Sequence, residues 1–161
     1  MTYRGFILLS VVAVVAGLFG WSHASAEEFE ATHCYAGMGK AFNESEELAY
    51  LGSFSHNGMV KSSNQRLDNM ATHCEGVQRG VGPTRLGYVL CKMVDADGHI
   101  IVVADQYSGA KFPLRFVEGT GKWKGIKGQF DSDTSATAVK PAVAGSYHTC
   151  SRWKGAFQIS R

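Results

Sequence analysis

Several signatures of enzymes and binding modules are missing from this chain. There is no GxSxG elbow, no HExxH and no GK[ST]-ended phosphate loop, which removes the commonest serine hydrolase, zinc protease and P-loop readings. Charge is scarce and balanced. Charged residues make up 19% of the 161, and 16 basic against 14 acidic residues leave a formal net charge of +2. A dedicated nucleic-acid binder or a polybasic membrane-surface protein needs a strong cationic excess, so both are disfavoured. Proline occurs only three times, and no low-complexity linker or second composition zone divides the chain. Beyond residue 26 no convincing amphipathic helix occurs. The best candidate, Asn43 to Leu51 with Asn43 as cap, is too short to build a bundle.

What is present begins with an export signature. Arg4 supplies a positive n-region, Phe6 to Trp21 is an apolar run, and Ala24-Ser25-Ala26 is an AxA cleavage site. The run is shorter than the roughly 20 residues of a membrane span, so no stable anchor is expected. Residues 1–26 are therefore expected to be a signal peptide and 27–161 one domain, secreted or periplasmic. Cys34, Cys74, Cys91 and Cys150 all lie beyond the cleavage site. An even cysteine count in an exported domain reads as disulfides, with three possible connectivities.

The rest is strand-like material between glycine turns. FEATHCYAG, LAYLGSFS, NMATHCEGVQ, LGYVLCKMV, HIIVVADQY, FPLRFVE, KWKGIKGQF and YHTCSRWKGAFQI give about eight short strands, the pattern of an antiparallel barrel or sandwich. Asp97-Gly98 suits a tight hairpin, and RGVGPTR a slightly longer one. If the latter turn is centred between Gly82 and Pro83, Cys74 and Cys91 stand equally far from its centre and face each other. Cys34 and Cys150 then remain, on the first and last strands. Closing a barrel brings those strands together, so their bond would staple the seam.

Gly119-Thr120-Gly121-Lys122-Trp123-Lys124-Gly125-Ile126-Lys127-Gly128 concentrates glycine, lysine and an aromatic ring. As a strand it would place Trp123, Gly125, Lys127 and Gln129 on one face, and Lys122, Lys124, Ile126, Gly128 and Phe130 on the other. Glycines on both faces permit sharp coiling. This segment resembles the GGTGxxxGxxG hairpin of the allene oxide cyclase and dirigent barrel superfamily, with Glu118-Gly119 where the family has two glycines. The resemblance implies an all-β fold, a single eight-stranded antiparallel barrel with an apolar lumen. It carries over no catalytic residue.

Chemistry-bearing residues are sparse. His33-Cys34, His73-Cys74 and His148 near Cys150 bring metal-type ligands close in sequence, but adjacent strand residues face opposite ways and oxidised cysteines offer no thiolate. No metal and no cofactor are expected. DADG lacks the further acids of a calcium loop. Asp105, Glu75, His73 and Tyr88 form a general-acid set of the kind any barrel of this size offers by chance. Leu86, Tyr88, Leu90, Ile101 and Val103, apolar residues alternating along two strands, are the expected lining of a ligand pocket. The expected activity is binding of a small apolar ligand in the lumen. The alternatives are an isomerase or cyclase using the same pocket, and a non-catalytic envelope or host-facing interaction protein with a filled lumen. The sequence leaves the ligand and the oligomeric state open.

Overall fold

The computed structural model describes residues 25–43, 51–81, 84–134 and 143–160. Of the helical turn expected over Asn43–Leu51, the two end residues belong to strands and pair with each other, and residues 44–50 lie outside the described residues, as do the Gly82-Pro83 turn centre and nearly all of the expected signal peptide. Eight strands follow one another in chain order: β1 (Glu27–Asn43), β2 (Leu51–Ser62), β3 (Ala71–Val81), β4 (Thr84–Val94), β5 (Ile100–Ser108), β6 (Lys111–Gly119), β7 (Ile126–Asp133) and β8 (Ser146–Ile159). Each pairs antiparallel with the next, and β8 pairs antiparallel with β1 to close the barrel. The fold is all-β.

Period-two patterning explains which side chains turn inward. Along β1 the inward-turned residues include Phe29, Ala31, His33 and Tyr35, and along β8 they include Ser151, Trp153 and Phe157. Their intervening neighbours, such as Thr32, Arg152 and Lys154, are exposed. Shifts in register at Ala41/Asn43 and Val102/Val103 mark the two irregular places in the ladder among the described residues.

One end of the barrel is filled. Phe29, Phe116, Phe130 and Phe157 pack with ring centroids 5.2–6.2 Å apart. Leu67 and Met70, from the connection between β2 and β3, are buried there with Trp123. Arg66 covers the outside of this plug, its guanidinium 5.1 Å from the Trp123 ring while it pairs with Glu27.

The glycine-rich segment forms much of that closure. Gly121–Trp123 is a single 3-10 turn and β7 starts only at Ile126, so Trp123 is not a strand residue. The turn folds its indole fully under the barrel, where Nε1 donates to Asp95 Oδ2 at 2.8 Å. Gly121 has φ of +54°, and a β-carbon there would lie 2.2 Å from the His99 ring. Ile126 and Phe130 then turn into the core.

Asp95 holds this end together. Its carboxylate accepts the backbone N–H groups of Asp97 and His99, each at 2.9 Å, and pairs with Lys122 at 3.0 Å. Burial pushes this carboxyl up, but the bonds from Trp123, Lys122, His99 and Asp97 outweigh it and bring the pKa down to about 2. The Asp97-Gly98 hairpin expected from sequence is there, with Gly98 at φ +81°.

Two disulfides lock the sheet. Cys34 is bonded to Cys150 across the β1–β8 seam, and Cys74 to Cys91 across the β3–β4 hairpin. The first faces outward and the second is buried inside.

Candidate functional site

Above the aromatic plug, toward Ala41, Gly109 and Thr134, the lumen holds a cavity of about 600 Å³. Its walls are rings. Tyr35 from β1 stacks on His56 from β2 at 4.1 Å and lies 4.7 Å from His33, and the two imidazoles are 5.8 Å apart. His33 in turn lies 4.6 Å from Trp153, and Phe54 runs parallel to His56 at 5.8 Å. A column of rings therefore climbs one wall from the floor. Opposite it Tyr107 and Phe112, 5.1 Å apart, form a second aromatic wall from β5 and β6. Tyr107 has room because β4 carries Gly87 beneath it: a β-carbon there would lie 2.5 Å from the phenol ring.

Two histidines sit in this wall with little solvent contact, His33 at 2% exposure and His56 at 7%. His33 Nε2 shares a hydrogen bond of 2.7 Å with Thr72 Oγ1, and His56 Nδ1 one of 2.9 Å with the Tyr147 hydroxyl. Burial, reinforced by mutual repulsion with His56, lowers the His33 pKa to about 3. Burial, with a smaller contribution from His73, lowers that of His56 to about 4. Both imidazoles are neutral at pH 7.

The residues singled out from the sequence divide between the two faces. Ile101 and Val103 are buried in the packed core and are not among the residues that line the cavity, while Leu86, Tyr88 and Leu90 stand on the outer face at 44%, 45% and 47% exposure. The expected pocket is corrected accordingly. Because Cys91 points inward, the β4 residues sharing its side are Gly87, Val89 and Met93. Apolar residues on both faces of LGYVLCKMV hid that parity.

The general-acid set does not assemble in the cavity. His73 and Glu75 meet at 3.2 Å on the outer surface, Tyr88 is exposed, and Asp105 pairs with Arg115 at 2.7 Å. His33 and Cys34 turn to opposite sides, as do His73 and Cys74. His56 lies near both Cys74 and Cys91, but their sulfurs are joined to each other and offer no thiolate. At the other end Asp95, Asp97 and His99 cluster around Lys122, whose ammonium already sits 3.0 Å and 2.7 Å from the two carboxylates.

Sequence reasoning missed His33, Tyr35, Phe54, His56, Tyr107, Phe112, Tyr147 and Trp153. A usable signal existed: in THCYAG and SFSHNG, rings alternate with small or polar residues, placing His33 with Tyr35 and Phe54 with His56 on common faces. Larger clefts of about 780 Å³ run along the outer wall, one past Met38, Lys40, Ser53, Glu75, Val77 and Tyr88. They are grooves of the curved outer sheet, and the ring-walled cavity is the candidate site.

Comparison with solved structures agrees with the architecture. The chain is similar to a pterocarpan synthase dirigent protein, with a TM-score of 0.51 and 10% identity over 85% of this chain and 93% of that one. It is also similar to a pyocyanin demethylase, with a TM-score of 0.47 and 14% identity over 81% and 99% of the two chains. No protein-family model and no curated protein sequence matches it. The closed eight-stranded antiparallel barrel thus has the same fold as that dirigent protein.

Proposed function

We propose that this protein is exported through cleavage after Ala26 and binds one small, largely apolar molecule in the barrel lumen. The ring-walled cavity carries the reading: about 600 Å³ lies within the range of small-molecule sites and leaves room beyond what side chains fill. Export is supported by the two disulfides, which fit an oxidising compartment, and by the AxA motif. Among the described residues no helix is long and apolar enough to cross a membrane.

Titration with an environment-sensitive apolar dye tests the binding claim. Val89 lines the cavity at 6% exposure, so Val89→Trp should fill it. Saturable binding by the wild type, abolished in a folded Val89→Trp, is the expected result. Equal binding by both would place the dye elsewhere and remove the lumen reading.

A catalytic reading, an isomerase or cyclase, is favoured by one observation: the His56 imidazole and Tyr147 hydroxyl form a hydrogen-bonded pair on the cavity wall. An imidazole whose pKa is about 4 is a weak base at pH 7, so carriage is the better supported role. Turnover of a bound compound that is lost in His56→Gln would reverse that order.

A further inference from the structure

The cavity floor combines two properties that narrow the ligand. No Asp, Glu, Lys or Arg occurs among its described lining residues, although the outer barrel wall carries many. A buried carboxylate or ammonium group on a ligand would therefore meet no opposite charge, at a large desolvation cost. The floor is nevertheless not purely apolar. Ser132 on β7 and Ser151 on β8 both line the cavity at 2% exposure, and neither hydroxyl has a hydrogen-bond partner among the described residues. Trp153, the β-ladder partner of Ser132, is 4% exposed and its buried Nε1–H is also unpaired.

These groups are neighbours in the sheet. Ser132 pairs with Trp153 across β7–β8, Ser151 precedes Trp153 by two residues on the same face, and Ser151 pairs with His33 across β8–β1. Buried polar groups in folded proteins almost always find partners, so adjacent unpartnered ones lining a cavity call for a partner that enters it. The two hydroxyls can donate into the cavity, while the neighbouring indole N–H is closed off from it, and a carbonyl or ether oxygen accepts.

We infer that the lumen selects an uncharged ring compound carrying an oxygen acceptor, with that oxygen seated on the hydroxyls of Ser132 and Ser151 beside the Trp153 indole. The inference rests on the lumen-binding reading above and adds the ligand class and its orientation: oxygen down, ring between the Tyr35–His56 and Tyr107–Phe112 walls.

Three probes of one shape test it: 2-acetylnaphthalene, 2-ethylnaphthalene and 2-naphthoate, titrated at pH 7 by quenching of intrinsic tryptophan fluorescence. The ketone should bind at least about tenfold more tightly than the carboxylate. The double variant Ser132→Ala/Ser151→Ala should weaken the ketone about tenfold and leave 2-ethylnaphthalene unchanged. The same variant should unfold at the same or higher urea concentration than the wild type without ligand, because hydroxyls serving the fold would have partners within it. Carboxylate binding equal to ketone binding, equal weakening of ketone and hydrocarbon, or a clear loss of apo stability would each overturn the inference while leaving a lumen site standing. Absence of binding by all three probes would overturn the lumen-binding reading together with it.

Discussion

Burial of His33 and His56 makes stability depend on pH in a window where few other groups titrate. In the unfolded chain each imidazole takes a proton near the ordinary value of about 6.5, whereas in the folded barrel it does so only near pH 3 and pH 4 respectively. Between pH 6.5 and 4 the unfolded state thus binds more protons, and stability falls as the pH falls. Between pH 6 and pH 5 each histidine contributes a loss of roughly 1.2 kcal/mol, or about 2.4 kcal/mol together. Below about pH 2 both are protonated in either state and the effect levels off. Urea unfolding at closely spaced pH values, extrapolated to water, measures this directly. His56→Gln should reduce the loss over that interval to about 1.2 kcal/mol. Because the slope with pH is read, any constant destabilisation by the substitution drops out. A stability that is flat from pH 6 to pH 5, or a slope unaltered in His56→Gln, would show that these rings are not buried and neutral in the lumen wall.

Three further expectations concern the frame around the site. Replacing Cys34 and Cys150 by alanine opens a loop spanning 116 positions against 17 for Cys74 and Cys91, which chain entropy values at about 5 and about 3 kcal/mol. Calorimetry should therefore show the seam variant losing roughly 15 °C in Tm, and a loss under about 5 °C would mean the seam is held by its ladder alone. Asp95→Asn should cost about 2 kcal/mol at neutral pH, since the carboxyl is 5% exposed and its pKa is lowered to about 2. Its depressed value makes that stability present above about pH 4 and lost as the pH falls toward 2, so the gap to the wild type should narrow in acid. N-terminal sequencing of protein from the envelope or medium should begin at Glu27, and a chain retaining Met1 in the membrane fraction would remove the export proposal.

Much of the fold was legible because it rests on local chemistry. Strand after strand appeared as a short β-rich run bounded by glycine or aspartate, and Asp97-Gly98 named its own turn. The equal spacing of Cys74 and Cys91 about the Gly82-Pro83 turn led to the bonded pair, even though the turn itself lies outside the described residues. Trp123 was misplaced because its neighbours alternate like a strand. Only the distant Asp95, which accepts its indole proton, shows why a 3-10 turn wins there.

The site was less legible for a geometrical reason. A strand with apolar residues on both faces does not disclose which face is inside, and β4 has Leu86, Tyr88 and Leu90 on one side and Val89, Cys91 and Met93 on the other. The buried disulfide decides the matter, yet a cross-strand cysteine pair satisfies the same spacing on either face: Cys34 and Cys150 form theirs outside. The polar members of the cavity were invisible for the opposite reason. Ser132 and Ser151 look like solvent-facing strand residues until closure of the barrel buries them beside His33 and Trp153.

Native mass spectrometry of the protein purified from its own host bears most directly on the claim that the lumen is a binding site. The wild type should fly as the folded, disulfide-bonded chain with one additional small neutral molecule that is released on denaturation, and the cavity-filled Val89→Trp should fly bare. A wild type that carries nothing, or an adduct retained equally by folded Val89→Trp, would contradict the account.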